Sequence, residues 1–136
     1  MEIVFRCRRL SKGKASGKAI VTKDPILLNG GIDPKSGVVV EVGHELQGQS
    51  IRGKILVFPY GKGSTGGSFV IYQMGVQGTG PRALICNKSE VIMTIGAIMG
   101  GIPLVDRLET IPAEVIKTGD YVEVNADEGL VRMIRA

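Results

Sequence analysis

The run Lys54-Ile55-Leu56-Val57-Phe58-Pro59-Tyr60-Gly61-Lys62-Gly63-Ser64-Thr65-Gly66-Gly67-Ser68-Phe69-Val70-Ile71-Tyr72-Gln73-Met74 decides how the chain is read. Its opening is continuously apolar, as expected of a strand buried on both faces in a parallel sheet. Its close, extended to Val76, places Phe69, Tyr72, Gln73 and Val76 at spacings of three, one and three, which is one face of a helix over residues 67–77. A strand that passes through glycines into a helix is a βα unit. The turn between them directs backbone N–H groups and a hydroxyl at one point, which is equipment for holding negative charge.

Outward from this run the pattern repeats. Ala83-Leu84-Ile85-Cys86 reads as a second buried strand, and Ser89 is the expected N-cap of a helix through about Met99. Ile102-Pro103-Leu104-Val105 reads as a third strand, running to Asp106. This strand–helix alternation predicts parallel βαβ units. Residues 2–9 read as a strand, with Ser16 to Val21 as its hairpin partner across Lys12-Gly13-Lys14. Val38 to Val42 reads as a short strand. Tyr121 to Asn125 and Leu130 to Ile134 form a hairpin around Ala126-Asp127-Glu128-Gly129. Residues 23–37 read as a long loop, but Leu27-Leu28-Asn29-Gly30-Gly31-Ile32-Asp33 is too apolar for solvent and should pack on a surface or a partner. The expectation is one α/β domain over residues 1–136, with a central parallel βαβ sheet and a second β-rich layer.

Composition limits the function classes. At 136 residues, 43% hydrophobic and 22% charged, the chain can bury one sizeable core and is not disordered. Trp is absent and aromatics are 4%, so that core must be aliphatic. The net charge of +4 gathers in Arg6-Cys7-Arg8-Arg9-Leu10-Ser11-Lys12-Gly13-Lys14 and Lys18. No aromatic interleaves with these charges as base stacking would need, so they read as a protected sheet edge and nucleic acid is not the expected partner. Cys7 and Cys86 form no CxxC pair and His44 is the single histidine, which argues against a metal site within this chain. Two buried free thiols fit a reducing cytoplasm. No apolar run of membrane-spanning length and no leader is read, so the expectation is a soluble cytoplasmic protein with no membrane contact.

Three chemistries compete for the turn. A nucleotide phosphate loop needs GxxxxGK[ST], whereas Lys62 precedes the key glycine and no later lysine lies in the turn. Gly61, Gly63 and Gly66 fit GxGxxG loosely, but the second strand ends in Asn87-Lys88, not in the acidic residue that grips a ribose. Gly63-Ser64-Thr65-Gly66 is not the GxSxG spacing of a nucleophile elbow, and His44 in Val42-Gly43-His44-Glu45-Leu46 makes no triad order. A serine at a helix N-terminus remains, either as a simple cap or as a base.

Tyr60-Gly61-Lys62-Gly63-Ser64 resembles the Tyr-Gly-x-Gly-Ser turn in the swivelling domain of aconitase-type hydro-lyases. The wider string from Arg52-Gly53-Lys54 to Tyr72-Gln73 is similar to the small subunit of the aconitase X family. So are Leu46-Gln47-Gly48-Gln49-Ser50, Ile95-Gly96-Ala97-Ile98 and Gly101-Ile102-Pro103-Leu104-Val105-Asp106. The resemblance spans essentially the whole chain. It implies a swivelling β/β/α domain and a hydro-lyase active only with a large subunit, as a heterodimer or higher hetero-oligomer. It implies Ser64 as proton acceptor from a small phosphorylated hydroxy acid. Beside it Lys62, Gly63, Thr65, Gly66, Gly67 and Ser68 are candidate substrate contacts, with solvent the alternative for Lys62 and capping or turn roles the alternatives for Thr65 and Ser68. It implies a [4Fe-4S] cluster held by the large subunit, with none bound by this chain. Archaeal two-chain members remove water from (R)-5-phosphomevalonate to give trans-anhydromevalonate 5-phosphate, in isoprenoid biosynthesis by the mevalonate pathway. Fused bacterial relatives act on cis-3-hydroxyproline, the alternative substrate; a non-catalytic nucleic-acid-binding module is the alternative outside enzymes. In aconitase itself Ser-Arg follows the serine and that arginine binds a carboxylate; here Thr65-Gly66 follows, so carboxylate recognition falls to the partner.

A serine base is costly. Titrating roughly six units above neutral, its ionisation costs about 8 kcal/mol at 1.36 per unit. A helix N-terminus contributes up to about 2 kcal/mol. One well-aimed oxyanion donor is worth roughly 3–4 kcal/mol in a dry site. Two or three N–H donors between Gly63 and Ser68 close the gap only if water is excluded.

Overall fold

The computed structural model describes residues 1–63 and 66–135. In chain order the elements are β1 (Glu2–Arg6), β2 (Arg8–Ser11), β3 (Lys14–Val21), β4 (Ile26–Leu27), a kinked turn α1 (Leu28–Gly31), β5 (Ile32–Asp33), β6 (Val38–Val39), β7 (Ile55–Phe58), β8 (Gly61–Lys62), α2 (Gly66–Gln77), β9 (Ala83–Cys86), α3 (Val91–Gly100), β10 (Leu104–Asp106), a one-turn α4 (Pro112–Val115), β11 (Tyr121–Asn125) and β12 (Leu130–Ile134).

Eight strands join in the order β1-β12-β11-β3-β7-β9-β10-β2. β1 and β2 stand at opposite ends of that order, yet a single residue, Cys7, separates them in the chain. The sheet therefore bends over on itself. Cys7 forms one corner. β3 forms the other, pairing antiparallel with β11 through Lys14–Lys18 and parallel with β7 through Ala19–Val21. One half is antiparallel (β1, β12, β11 and the start of β3). The other carries the parallel strands β3, β7, β9 and β10, with β2 antiparallel on its edge.

Period-two alternation divides two cores. On the parallel strands Ile55, Val57, Ala83, Ile85 and Val105 face the antiparallel half and pack with Phe5, Val122, Val124, Val131 and Met133. Their alternates Leu56, Phe58, Leu84, Cys86 and Leu104 face the helices and pack with Val70, Ile71, Met74, Met93 and Ala97. The result is the expected β/β/α layering, with the parallel sheet in the middle and α2 and α3 outside it.

Two expectations need correction. The hairpin between residues 2–9 and 16–21 does not form: β2 pairs with β10 and β3 with β11 and β7, because both segments join longer-range partners. Glu90, not Ser89, caps α3: its carboxylate accepts from the N–H groups of Ile92 (2.7 Å) and Met93 (2.8 Å). The Ser89 N–H is instead donated to Asp106 at 2.8 Å. The helix read over residues 67–77 forms as α2; the face that carries Phe69, Tyr72 and Val76 is exposed, and Gly67, Val70, Ile71 and Met74 are the buried set. α2 is apolar nearly all round, so periodicity alone does not choose a side.

The helices run side by side at glycine distance. A Cβ on Gly96 would lie 2.7 Å from the Ser68 carbonyl oxygen, and Gly75 meets the backbone of Gly100. Gly96→Ala gains about 1 kcal/mol of helix propensity but overpacks the crossing by about 1–3 kcal/mol. It should lower the urea midpoint with an unchanged m-value; an equal or higher midpoint would show that the helices can part freely.

Buried Asp120 accepts from Arg135 Nε (3.0 Å), Arg135 Nη2 (2.6 Å) and the Lys117 N–H (2.8 Å). The Arg135 hydrogen bonds hold its carboxyl below the usual carboxylate range. A depressed native pKa stabilises the fold above the unfolded value, about 3.9, and that contribution fades as pH falls through the lower native value. Asp120→Asn should therefore melt below wild type at neutral pH, and the two curves should converge in acid. A gap that persists undiminished at low pH would assign the effect to packing.

Candidate functional site

Beyond β7 the chain passes through Pro59-Tyr60 into β8, which pairs in parallel with β4 as Ile26↔Gly61 and Leu27↔Lys62. The apolar loop thus packs on a surface as expected, and that surface is the chain's own glycine turn. Gly63 has φ 110°, where a side chain is strained, and Leu27 Cδ1 lies 2.9 Å from where its Cβ would be. Leu28 Cβ lies equally close to the Cβ position of Gly67, and the Asn29 amide fills that of Gly66. Leu28 is buried in the helix-side core, so the contact is anchored from below.

Ser64 and Thr65 lie outside the described residues. Their neighbours Gly63 and Gly66 are both held against the 27–29 loop. α2 starts at Gly66, with no acidic side chain in its first turn. The first N–H groups of any helix lack intrahelical acceptors, so this end carries the positive pole of the helix dipole. Gly67 is buried, and Gly66 and Ser68 are partly so.

Lys62, expected as an anion contact, is placed as an anchor: its Nζ lies 2.9 Å from Glu41 Oε2. Glu41 Oε1 accepts the Leu27 N–H at 3.2 Å. One carboxylate therefore grips both strands of the β4–β8 pair, and the hydrogen bond from Lys62 is the main cause that holds its pKa down.

The parallel strands β7, β9 and β10 deliver their carboxyl ends to one edge, where ligands collect in α/β sheets. The Asn87 N–H donates to Pro59 O (3.0 Å) and the Arg107 N–H to Asn87 O (3.2 Å). This brings exposed Asn87 and Lys88 to the same edge as the turn. Arg107, with φ 52°, is the one non-glycine residue of positive φ among the described residues. Asp106 is wholly buried and accepts from Arg8 Nε and Nη2, each at 2.8 Å. The cavity lined by Lys23, Pro59, Asn87, Ile111, Ala113 and Glu114 measures only about 160 Å³. Small-molecule sites span roughly 300–1,000 Å³, so this edge needs a second wall.

His44 is buried, with Nδ1 accepting the Leu46 N–H (2.9 Å) and Nε2 facing Pro25 O at 3.0 Å as donor. Burial pushes both thiols up, Cys7 to about 11, away from the thiolate form that binds metal. Among the described residues no three His, Cys, Asp or Glu side chains converge on a metal-sized point. The described residues therefore do not fit an iron–sulfur cluster.

Asn29, Glu41 and Arg107 are absent from the sequence-based set. The apolar run at 27–28 signals contact but not with what, and Glu41 between Val40 and Val42 reads as an outward strand position. Glu41→Ala should raise hydrogen exchange at Leu27 and Gly61–Gly63 while the β11–β12 amides keep their protection. Unchanged exchange across the turn would show that the ion pair does not hold it.

The aconitase X swivel domain matches residues 4–133. The phosphomevalonate dehydratase small subunit of Methanosarcina acetivorans is 49% identical over 98% of this chain and 92% of its own length. That of Archaeoglobus fulgidus is 48% identical over 96% and 98%. The holo-form crystal structure of Thermococcus kodakaraensis aconitase X superposes with a TM-score of 0.92 at 42% identity, covering 98% of this chain and 99% of that one. With its glycine turn, β/β/α layering and near full-length match, the chain belongs to the aconitase X swivel-domain family.

Proposed function

We propose that this chain is the small subunit of a two-chain hydro-lyase that dehydrates (R)-5-phosphomevalonate to trans-anhydromevalonate 5-phosphate, with Ser64 as the proton acceptor. The observation that carries the chemical role is the clamped turn: Gly63 and Gly66, on either side of Ser64 and Thr65, are pinned by Leu27 and Asn29 ahead of a helix N-terminus without acidic residues. The names of the near full-length relatives supply the reaction.

On this reading residues 1–136 act as one swivelling domain in the cytoplasm. Ser64 takes a proton from the carbon next to the substrate carboxylate as the C–O bond to the leaving hydroxyl breaks. The amides of Gly66, Gly67 and Ser68 favour the alkoxide, and Gly63 and Thr65 are assigned as further contacts to the substrate. Lys62 acts through Glu41, holding the turn rather than the substrate. A [4Fe-4S] cluster is assigned to the large subunit, in keeping with the poor fit of the described residues to one. The large subunit also supplies the missing wall and the dryness that a serine base requires.

The complex of this chain with its large subunit should turn over 5-phosphomevalonate, and neither chain should do so alone. Ser64→Ala should cost about 10³-fold in kcat, the scale of a lost general base, while the two chains still co-elute. Undiminished turnover in that variant would remove Ser64 from the mechanism. Turnover of cis-3-hydroxyproline in place of 5-phosphomevalonate would reassign the substrate.

A further inference from the structure

The outer face of the α2–α3 pair is the feature that neither core nor turn explains. Neither Gly66–Gln77 nor Val91–Gly100 contains a charged residue. Phe69, Tyr72 and Val76 on α2 and Val91, Ile95 and Ile98 on α3 are exposed, from 40% at Tyr72 to 73% at Phe69. At roughly 100 Å² each they present about 600 Å² of apolar surface, the upper end for a free monomer and most of one side of a standard interface, about 800 Å².

We infer that this face is the docking surface for the large subunit, an inference that rests on the two-chain reading above. Three observations favour that occupant. First, the face is continuous with the half-built site. α2 and α3 run parallel, with Gly96 against Ser68 and Gly100 against Ile71 and Tyr72, so both N-termini point to the glycine turn. Met93 of α3 touches the turn directly, its Sδ lying 3.3 Å from the Cβ position of Gly61. A partner that reaches the turn meets Phe69 and Val91 in the helices' first turns. Second, the glycine crossing locks the helix backbones together, so the face is a rigid platform that needs little ordering on binding. Third, a second copy is the poorer occupant, because it brings only a duplicate of what this chain already has. Among the described residues neither copy offers a metal-holding cluster or the wall the site lacks.

The test is titration of the purified large subunit with this chain carrying Val76→Glu and Ile98→Glu. Both residues are already exposed, so the variant should melt within about 2 °C of wild type, as surface changes of this kind usually do. Its affinity for the large subunit should fall at least about 100-fold, the scale of loss expected when two charges enter an apolar interface. The control is Val4→Glu with Tyr121→Glu, which adds the same charge to the outer face of the antiparallel half and should leave affinity within about threefold. Undiminished affinity in the helix-face variant, or equal loss in the control, overturns this docking surface while leaving the dehydratase reading intact. Loss of self-association in the helix-face variant with hetero-complex affinity unchanged assigns the face to a second copy and likewise overturns it. If wild-type chain and large subunit form no complex, both readings fall. Ser64→Ala run in parallel separates them, since it should bind like wild type and lose only turnover.

Discussion

A carboxylate with no solvent contact has to find its compensation inside the protein, and Asp106 finds it in three places at once. The Arg8 guanidinium takes both its oxygens side by side, and the Ser89 amide takes one of them again. Arg8 lies on β2, Ser89 at the approach to α3 and Asp106 at the end of β10. One side chain thereby ties an edge strand, the last parallel strand and the start of a helix. Removing any partner strands a buried charge, which is why such a group fixes an arrangement more firmly than its modest net contribution suggests. Its position also settles the carboxyl edge. With Ser89 held, Asn87 meets Pro59 on one side and Arg107 on the other, and the three strand ends stay level.

On that level edge the glycine turn acquires its shape from outside. Leu27, Leu28 and Asn29 press against backbone where any side chain would collide, so the turn is defined by contact as much as by its own torsions. Preorganisation of this kind has direct chemical value. A serine alkoxide is stabilised only by donors that are already in place and need not reorganise. The same geometry agrees with the proposal that a second chain completes the site. This chain's edge is open, its neighbouring cavity is small, and its thiols are held protonated by burial.

Much of this was legible in the sequence. The apolar runs at 55–58 and 83–86 declared doubly buried strands because a strand with helices on one side and a sheet on the other has no polar face to show. The glycine turn was legible because backbone approach leaves a compositional trace. Strand pairing was less so: β2 and β3 lie close in sequence but pair with strands roughly a hundred residues away, and no local signal reports that. For α2 the helix was legible but not its inward side. Its inward face is built from Gly67 and Val70 as well as large residues, while its outward face carries Phe69 and Tyr72, so size and periodicity do not choose between them. In the site, Ser64 was singled out by motif alone and lies outside the described residues, whereas the 27–28 loop was legible from its misplaced hydrophobicity. Glu41 gave no sign, since its role exists only after β4 and β8 have met.

The pairing of β1 with β12 carries a consequence for synthesis. Glu2 lies opposite Ile134, so β1 leaves the ribosome more than a hundred residues before the strand it pairs with. Until then the antiparallel half cannot close, and the inter-sheet core stays open on one side. Contacts this distant in sequence slow folding and prolong the exposure of unpaired strand edges. Nascent chains of this fold should therefore depend on chaperones more than their length suggests, and a stalled or prematurely released chain should aggregate rather than persist as a soluble fragment.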